Sequence, residues 1–265
     1  MSLDPTKMKL LEERIDDLRR RRKKSDDRKT VEGVIDTATL LQLYKLITQN
    51  HLDELFGVLA TGKESSVYYA THPDGKGLAV KIYRTATADF RRMKLYIEGD
   101  PRFKRIKRGI RPLVYTWAQK EYKNLTRMYE VGLSVPEPIA VSGNVLIMQF
   151  IGENSYPAPR MKDEPPKRPS AMFKKIFKMV WVLFRRANLV HADLSEYNVL
   201  LLDKPYLIDV SQSVPTSHPN AAELLKRDLI NLKQYFQGLG VDTPPIETQM
   251  EHITRRGIRW NPSKQ

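Results

Sequence analysis

In residues 189–202, LVHADLSEYNVLLL, Asp193 is followed five residues later by Asn198, and a second aspartate, Asp209, lies just beyond. Residues 199–202 and 206–208 are short apolar runs separated by turn residues, so they read as a hairpin that delivers Asp209 beside Asn198. Magnesium is held by one or two protein oxygens together with phosphate oxygens, a demand that Asn198 and Asp209 meet. A carboxylate near an attacking hydroxyl or water completes a phosphoryl-transfer set, and Asp193 fills that place. His191 reads as a brace for the loop rather than a chemical group.

A second stretch points to the same chemistry. GVLATGKES, residues 57–65, comes within one residue of the phosphate-binding pattern G-x-x-x-x-G-K-[S/T], but Glu64 stands where the magnesium-ligating hydroxyl belongs. The run after it, residues 67–70, is β-branched and aromatic; a turn at 72–77 comes next, then the apolar run 78–83 with Lys81 at its centre. The local reading is strand, glycine-containing loop, strand, turn, strand. Thr61, Gly62, Lys63 and Ser65 are the loop residues read as ATP-binding, and Lys81 as the group that holds α- and β-phosphate oxygens. The alternative is an ordinary hairpin whose lysine snorkels to solvent.

The elements that position these residues emerge from periodicity. Residues 34–55 read as a helix capped by Asp36 or Thr37. On a helix over 114–131, Trp117, Glu121, Leu125 and Met128 share one face, which puts a carboxylate in an apolar stripe. Pairing Glu121 with Lys81 satisfies both buried charges, the alternative being Glu121 hydrated at the rim. Strands over 137–141 and 144–150 end at a hinge-like MQFI, residues 148–151, and a proline-rich, charged stretch then leads to an apolar helix over 170–188. The domain reading is a charged arm at 1–30, an N-terminal helix with a β-rich lobe at 31–152, and a mainly helical lobe at 153–265.

Composition sets bounds. With 265 residues, 41% of them hydrophobic, the chain can bury a sizeable core, and its longest apolar run, 179–184, is far short of a bilayer span. No membrane association is expected, and a cytoplasmic location is. The lack of cysteine excludes disulfides, thiolate metal sites and a cysteine nucleophile, and five scattered histidines leave oxygen as the metal donor. The net charge of +14 points to a polyanionic partner. Half of the excess lies in residues 84–111, with ten Lys and Arg against Asp89, Glu98 and Asp100. Phe90, Tyr96 and Phe103 are interleaved there, suited either to stacking on bases or to packing on the protein. A second basic run, residues 19–24, reads as RNA-binding or simply solvated.

H-x-D-x-x-x-x-N at residues 191–198, with an upstream lysine, a helix glutamate and a downstream aspartate, matches the order of motifs in protein kinases. The chain departs from ordinary members: TGKESS lacks G-x-G-x-x-G, Asp209 is followed by Val210-Ser211 rather than Phe-Gly, and no A-P-E comes after it. TGKESSVYYA, AVKIYR, HADLSEYNVLL, LIDVSQSV and HPNAAELLKRDLINLKQYF together resemble the RIO family of atypical protein kinases, in its Rio1 branch. The residues before the loop at 57–65 are too few for both the helix at 34–55 and the winged helix of the Rio2 branch. The resemblance covers about residues 57–236.

That resemblance implies an α+β, bilobal protein-kinase-like fold with a β-rich N-lobe, one C-type helix and a mainly helical C-lobe, lacking an activation segment and peptide-substrate helices. It implies Mg-ATP as cofactor, with manganese as a substitute, and adenine held by backbone groups at the hinge residues Gln149 and Ile151. It further implies Asp193 as catalytic aspartate, Asn198 and Asp209 as metal ligands, phosphoaspartate at Asp209, and residues 84–111 as a flexible loop. The implied activity is that of a non-specific serine/threonine protein kinase with ATP hydrolase activity, including self-phosphorylation. The implied partner is the small ribosomal subunit precursor, rRNA and ribosomal proteins together. Two other readings use parts of the motif set. A small-molecule kinase of the aminoglycoside-phosphotransferase type typically has an acidic pocket and a larger C-lobe. An RNA-binding scaffold with a vestigial nucleotide site would not be expected to keep Lys81, Asp193, Asn198 and Asp209 together.

Overall fold

The computed structural model describes residues 9, 13, 35–85, 90–103 and 109–255. The basic run at 19–24, and the charged arm at 1–30 apart from residues 9 and 13, lie outside them. The chain divides into two compact units, Met1–Lys94 with Arg105–Tyr122 and Pro138–Phe150, and Leu95–Lys104 with Lys123–Glu137 and Ile151–Gln265.

The first unit is built on a five-stranded antiparallel sheet in the order β1-β2-β3-β5-β4, where β1 is Glu54–Thr61, β2 Ser65–Thr71, β3 Gly77–Tyr83, β4 Pro138–Ser142 and β5 Val145–Gln149. Helix α1, Thr37–Thr48, contributes Leu43, Tyr44 and Leu46 to a core shared with Tyr68, Val80, Ile82, Val145 and Ile147. Asp36 caps α1 by accepting the Thr39 N–H at 2.8 Å. The helix is shorter than the 34–55 read from periodicity: Asn50 takes a positive φ of 58° and β1 begins at Glu54. The turn between β4 and β5 sits against α1. Gly143 has φ +55°, and a Cβ there would lie 2.7 Å from Cγ of Gln42. Asn144 donates from Nδ2 to Thr39 Oγ1 at 2.9 Å and to the Tyr83 carbonyl at 2.8 Å. These bonds fix β3, and with it Lys81, against α1.

The segment at 84–111 is not wholly a loop. Helix α2, Phe90–Ile97, and a 3-10 turn at Pro101–Phe103 form within it. Met93, Tyr96 and Ile97 are buried, an i, i+3, i+4 stripe that gives α2 an apolar face despite its basic composition. Tyr96 is therefore a packed ring, not one presented to bases. Phe103 is also engaged, with Lys123 Nζ 4.9 Å and Arg102 Cζ 5.5 Å from its ring centroid. Helix α3, Ile110–Glu130, comes next; its residues through Tyr122 belong to the first unit and those from Lys123 to the second.

The second unit is mainly helical. Helix α4, Pro169–Arg185, begins on a proline, which a first turn tolerates because its N–H has no intrahelical acceptor. Its buried face packs against α5, Ala221–Gly238, and α6, Ile246–Thr254. Phe173 stacks on Phe177 at 5.9 Å and meets Phe236 edge-on at 5.5 Å. Short antiparallel pairs complete the unit: β6 (Gly152–Glu153) with β7 (Tyr156–Pro157), β8 (Leu189–Val190) with β11 (Val214–Pro215), and β9 (Val199–Leu201) with β10 (Pro205–Leu207). No described helix is long and apolar enough to cross a membrane.

Candidate active site

In the first unit, β3 pairs with β2 and β5 on either side, so Lys81 sits mid-sheet opposite Val67 and Leu146. A lysine there is buried with 5% exposure and needs an anion. Glu121 supplies it from α3, with Lys81 Nζ 3.0 Å from Oε1 and 2.9 Å from Oε2. Trp117, Glu121, Leu125 and Met128 are all buried along α3. Of the loop residues, Thr61 ends β1, Ser65 opens β2, and Gly62 and Lys63 lie between them, with the Gly62 N–H donating to the Ser65 carbonyl at 2.8 Å. Gln149 closes β5 opposite Leu78. Ile151 accepts the Ala158 N–H on its carbonyl at 3.0 Å.

In the second unit, the hairpin β9–β10 pairs Val199 with Leu207, and the Ile208 N–H extends the ladder to the Asn198 carbonyl at 3.0 Å. Asn198 and Asp209 are thereby held on adjoining strand ends. Asn198 lies in a 3-10 turn, Glu196–Asn198, and its Nδ2 donates to the Asp193 carbonyl at 2.8 Å and, more loosely, to Asp193 Oδ2 at 3.4 Å. With the amide nitrogen committed to Asp193, the end of Asn198 suited to a cation is its Oδ1. Gln212 Nε2 donates to the same Asp193 oxygen at 2.9 Å, and Ser211 Oγ to Asp209 Oδ1 at 3.1 Å. The structure thus brings Asp193, Asn198 and Asp209 together. Among the described residues no group of three or more His, Cys, Asp or Glu is arranged to hold a metal. One amide and one carboxylate oxygen suit a cation that takes its remaining ligands from phosphate and water.

Two backbone kinks give this cluster its shape. Ala192 has φ +66° and Asp209 φ +54°, left-handed conformations that cost a non-glycine residue and persist where surrounding bonds hold them. The holding group is Asp228 on α5, whose carboxylate accepts the Ala192 N–H at 2.8 Å and the Leu194 N–H at 2.9 Å. Arg227 takes the Ala192 carbonyl from the other side of the same residue. Asn124 on α3 donates to the Val210 and Ser213 carbonyls at 2.8 and 3.0 Å, fixing the chain after Asp209. None of Asp228, Asn124, Ser211 and Gln212 is singled out by the sequence reading. Asp228 does leave a signal, because it falls in the stripe Leu225, Leu229, Leu232, the same pattern of an acid among buried apolar positions that exposes Glu121.

His191 braces the loop through its backbone: its carbonyl accepts Ser213 Oγ at 2.9 Å, while its ring nitrogens have no partner at hydrogen-bond geometry among the described residues. Burial pushes the imidazole down to about 4, against the opposing pull of Asp209 and the Ile208 backbone. Burial pushes the Asp228 carboxyl up to about 7, with its two backbone donors and Arg227 working the other way. The two shifts oppose each other in stability. Between about pH 4 and 6.5 folded His191 binds fewer protons than the unfolded chain, so its contribution makes stability rise with pH. Over a similar window folded Asp228 binds more protons, so its contribution makes stability fall with pH. Each slope is at most about 1.4 kcal/mol per pH unit. Urea unfolding across this window should therefore show stability falling with pH in His191→Phe and rising with pH in Asp228→Asn. Parallel profiles for the two variants would contradict these assignments.

A family model described as the RIO domain matches residues 66–249. The chain is 41% identical over 240 residues to serine/threonine-protein kinase RIO1 of Caenorhabditis elegans, covering 89% of this chain and 47% of that protein. It is 40% identical over 228 residues to the RIO-type serine/threonine-protein kinase Rio1 of Haloferax volcanii, covering 86% of this chain and 78% of that protein. The chain thus spans about half the length of the nematode relative and most of the archaeal one. Among solved structures, the Rio2 kinase–ADP/Mg2+–phosphoaspartate complex from Chaetomium thermophilum shares the fold, with a TM-score of 0.64 at 23% identity over 82% of this chain and 67% of that one.

Proposed function

Because the chain belongs to the RIO family of atypical protein kinases, in its RIO1 branch, we propose that it transfers the γ-phosphoryl group of ATP to serine or threonine and hydrolyses ATP. The observation that carries this reading is the cluster Asp193, Asn198 and Asp209, shaped by the left-handed backbone of Ala192 and Asp209 and tied by the hydrogen bonds of Asn198 and Gln212 to Asp193. Asn198 Oδ1 and the Asp209 carboxylate are the residues that would hold magnesium, with manganese as a substitute. Bound there, the metal would offset the charge of the phosphate oxygens.

The remaining work falls to the chain's own side chains. Lys81, kept in place by Glu121, supplies a cation for phosphate oxygens, and Thr61, Gly62, Lys63 and Ser65 form the loop read as covering them. Gln149 and Ile151 offer backbone groups to adenine. Asp193 accepts the proton of the attacking hydroxyl or water. Phosphoaspartate is part of the related Rio2 complex, and Asp209 is the residue proposed to carry it here. Self-phosphorylation belongs to the same proposal.

The proposed setting is maturation of the small ribosomal subunit in the cytoplasm, with precursor rRNA and ribosomal proteins as partners. A net charge of +14 and the basic surplus at 84–111 support a polyanionic partner. The test is γ-phosphate release with and without small-subunit precursor, together with precursor affinity at several salt concentrations. Precursor is expected to stimulate release. Replacing Arg91, Arg92, Arg105 and Arg108 by alanine should weaken precursor binding, flatten its salt dependence by roughly one unit for each phosphate no longer neutralised, and leave precursor-independent release unchanged. An unchanged affinity and salt slope would remove residues 84–111 from the interface.

A further inference from the structure

Three consecutive side chains after Asp209 reach back to the site. Ser211 Oγ donates to Asp209 Oδ1 at 3.1 Å, Gln212 Nε2 to Asp193 Oδ2 at 2.9 Å, and Ser213 Oγ to the His191 carbonyl at 2.9 Å. Their backbone is anchored in turn by Asn124, through the carbonyls of Val210 and Ser213. Gln212 differs from its neighbours in what it gives up. It is 8% exposed, and its Oε1 is buried with no partner among the described residues. An amide with an unpartnered buried oxygen is a costly way to fill space, and leucine would fill it without that cost. The direction of the amide is set by chemistry, since a carboxylate offers only acceptors and the Nε2 end must face Asp193. The chain reaches α5 soon after this tripeptide, with only the short strand Val214–Pro215 between.

We propose that Gln212 is a positioning residue for phosphoryl transfer, holding the Asp193 carboxylate by Oδ2. The inference rests on the functional reading above. In the transfer step the acceptor oxygen bonds to the γ-phosphorus as the bond from that phosphorus to the β,γ-bridging oxygen breaks. The electron pair leaves with ADP and, where the acceptor is a hydroxyl or water, its proton passes to Asp193. That proton is taken only by a carboxylate within about 2.6–3.2 Å of the acceptor. An Asp side chain free to turn about its last torsion spends part of its time out of reach. Asn198 meets the same oxygen at 3.4 Å, too long to fix it alone. Gln212 thus acts on the rate of transfer and not on the affinity for ATP.

Two substitutions separate this role from packing. Gln212→Glu keeps the size of the side chain and removes the donor; Gln212→Leu removes the donor together with the unpartnered oxygen. Steady-state γ-phosphate turnover by the full chain should show kcat lowered roughly 10–100-fold in both, the scale of a misplaced catalytic group, with KM for ATP within about two-fold of the parent. Urea unfolding of Gln212→Leu should match or exceed the parent, so a lost fold cannot account for its lost rate. If either variant keeps kcat within about two-fold of the parent, or raises KM while kcat stays, the positioning role is overturned and phosphoryl transfer itself stands. A parent chain without magnesium-dependent turnover would sink the functional reading and this inference together.

Discussion

Asp193→Ala is expected to lower turnover of the γ-phosphate of ATP by about 10²–10⁴-fold, the usual share of a positioned general base, while Mg-ATP affinity changes little. The asymmetry arises from what Asp193 touches. Its carboxylate accepts from Gln212 and Asn198 and is not one of the two oxygens assigned to the metal. Removing it leaves Asn198 and Asp209 tied together through the Ile208 N–H and the β9–β10 ladder. Nucleotide titration followed by intrinsic fluorescence, run beside phosphate release, measures both halves. Loss of binding in step with loss of turnover would mean that Asp193 holds the metal or the loop and not the proton. Asp209→Asn should behave differently, losing metal-dependent nucleotide binding and turnover together.

The second large effect concerns stability. Glu121→Ala is expected to destabilise the chain by about 3–5 kcal/mol, because it removes the carboxylate that meets the buried Lys81 ammonium at 2.9–3.0 Å. Lys81→Met should cost less, since the glutamate left behind can take up a proton. The double variant Lys81→Met with Glu121→Leu should regain the parent's stability or exceed it, as replacement of a buried ion pair by apolar groups often does. It should nevertheless remain without phosphoryl transfer, because the lysine proposed to hold the α- and β-phosphate oxygens is gone. Urea unfolding of Lys81→Met, of Glu121→Leu and of the double that combines them gives the coupling energy directly. If the double variant lost the sum of what its two single variants lose, the pair at 2.9–3.0 Å would contribute no coupling, and Lys81 would hold its place without Glu121.

Much of this arrangement is legible in the chain itself. The spacing of Asp193 and Asn198, the hairpin that carries Asp209, and an acid inside the apolar stripe of α3 are local patterns, and local patterns survive in one dimension. Strand and helix positions match the periodicity to within a few residues, with α1 cut short where Asn50 turns the chain and β1 takes it into the sheet. The composition at 84–111 hides helix α2, because four of its eight residues are Arg, Lys or Tyr and its apolar stripe is only Met93, Tyr96 and Ile97. The support of the catalytic loop is illegible for another reason. Asp228 meets residues 192 and 194 across 36 and 34 positions of sequence, and Asn124 meets 210 and 213 across 86 and 89. No spacing rule spans such separations. An acid at Asp228 among leucines says only that it needs partners, and the partners are backbone N–H groups, which every residue has.

The most direct test is a single-turnover experiment with γ-labelled ATP and magnesium, tracking free phosphate together with acid-stable and hydroxylamine-labile label on the protein, in the parent chain and in Asp209→Asn. A magnesium-dependent labile label that forms in the parent, decays into free phosphate and is absent from Asp209→Asn is the predicted result. A γ-phosphate that stays on ATP in the parent, or leaves it as fast in Asp209→Asn, would contradict phosphoryl transfer at the Asp193, Asn198 and Asp209 cluster.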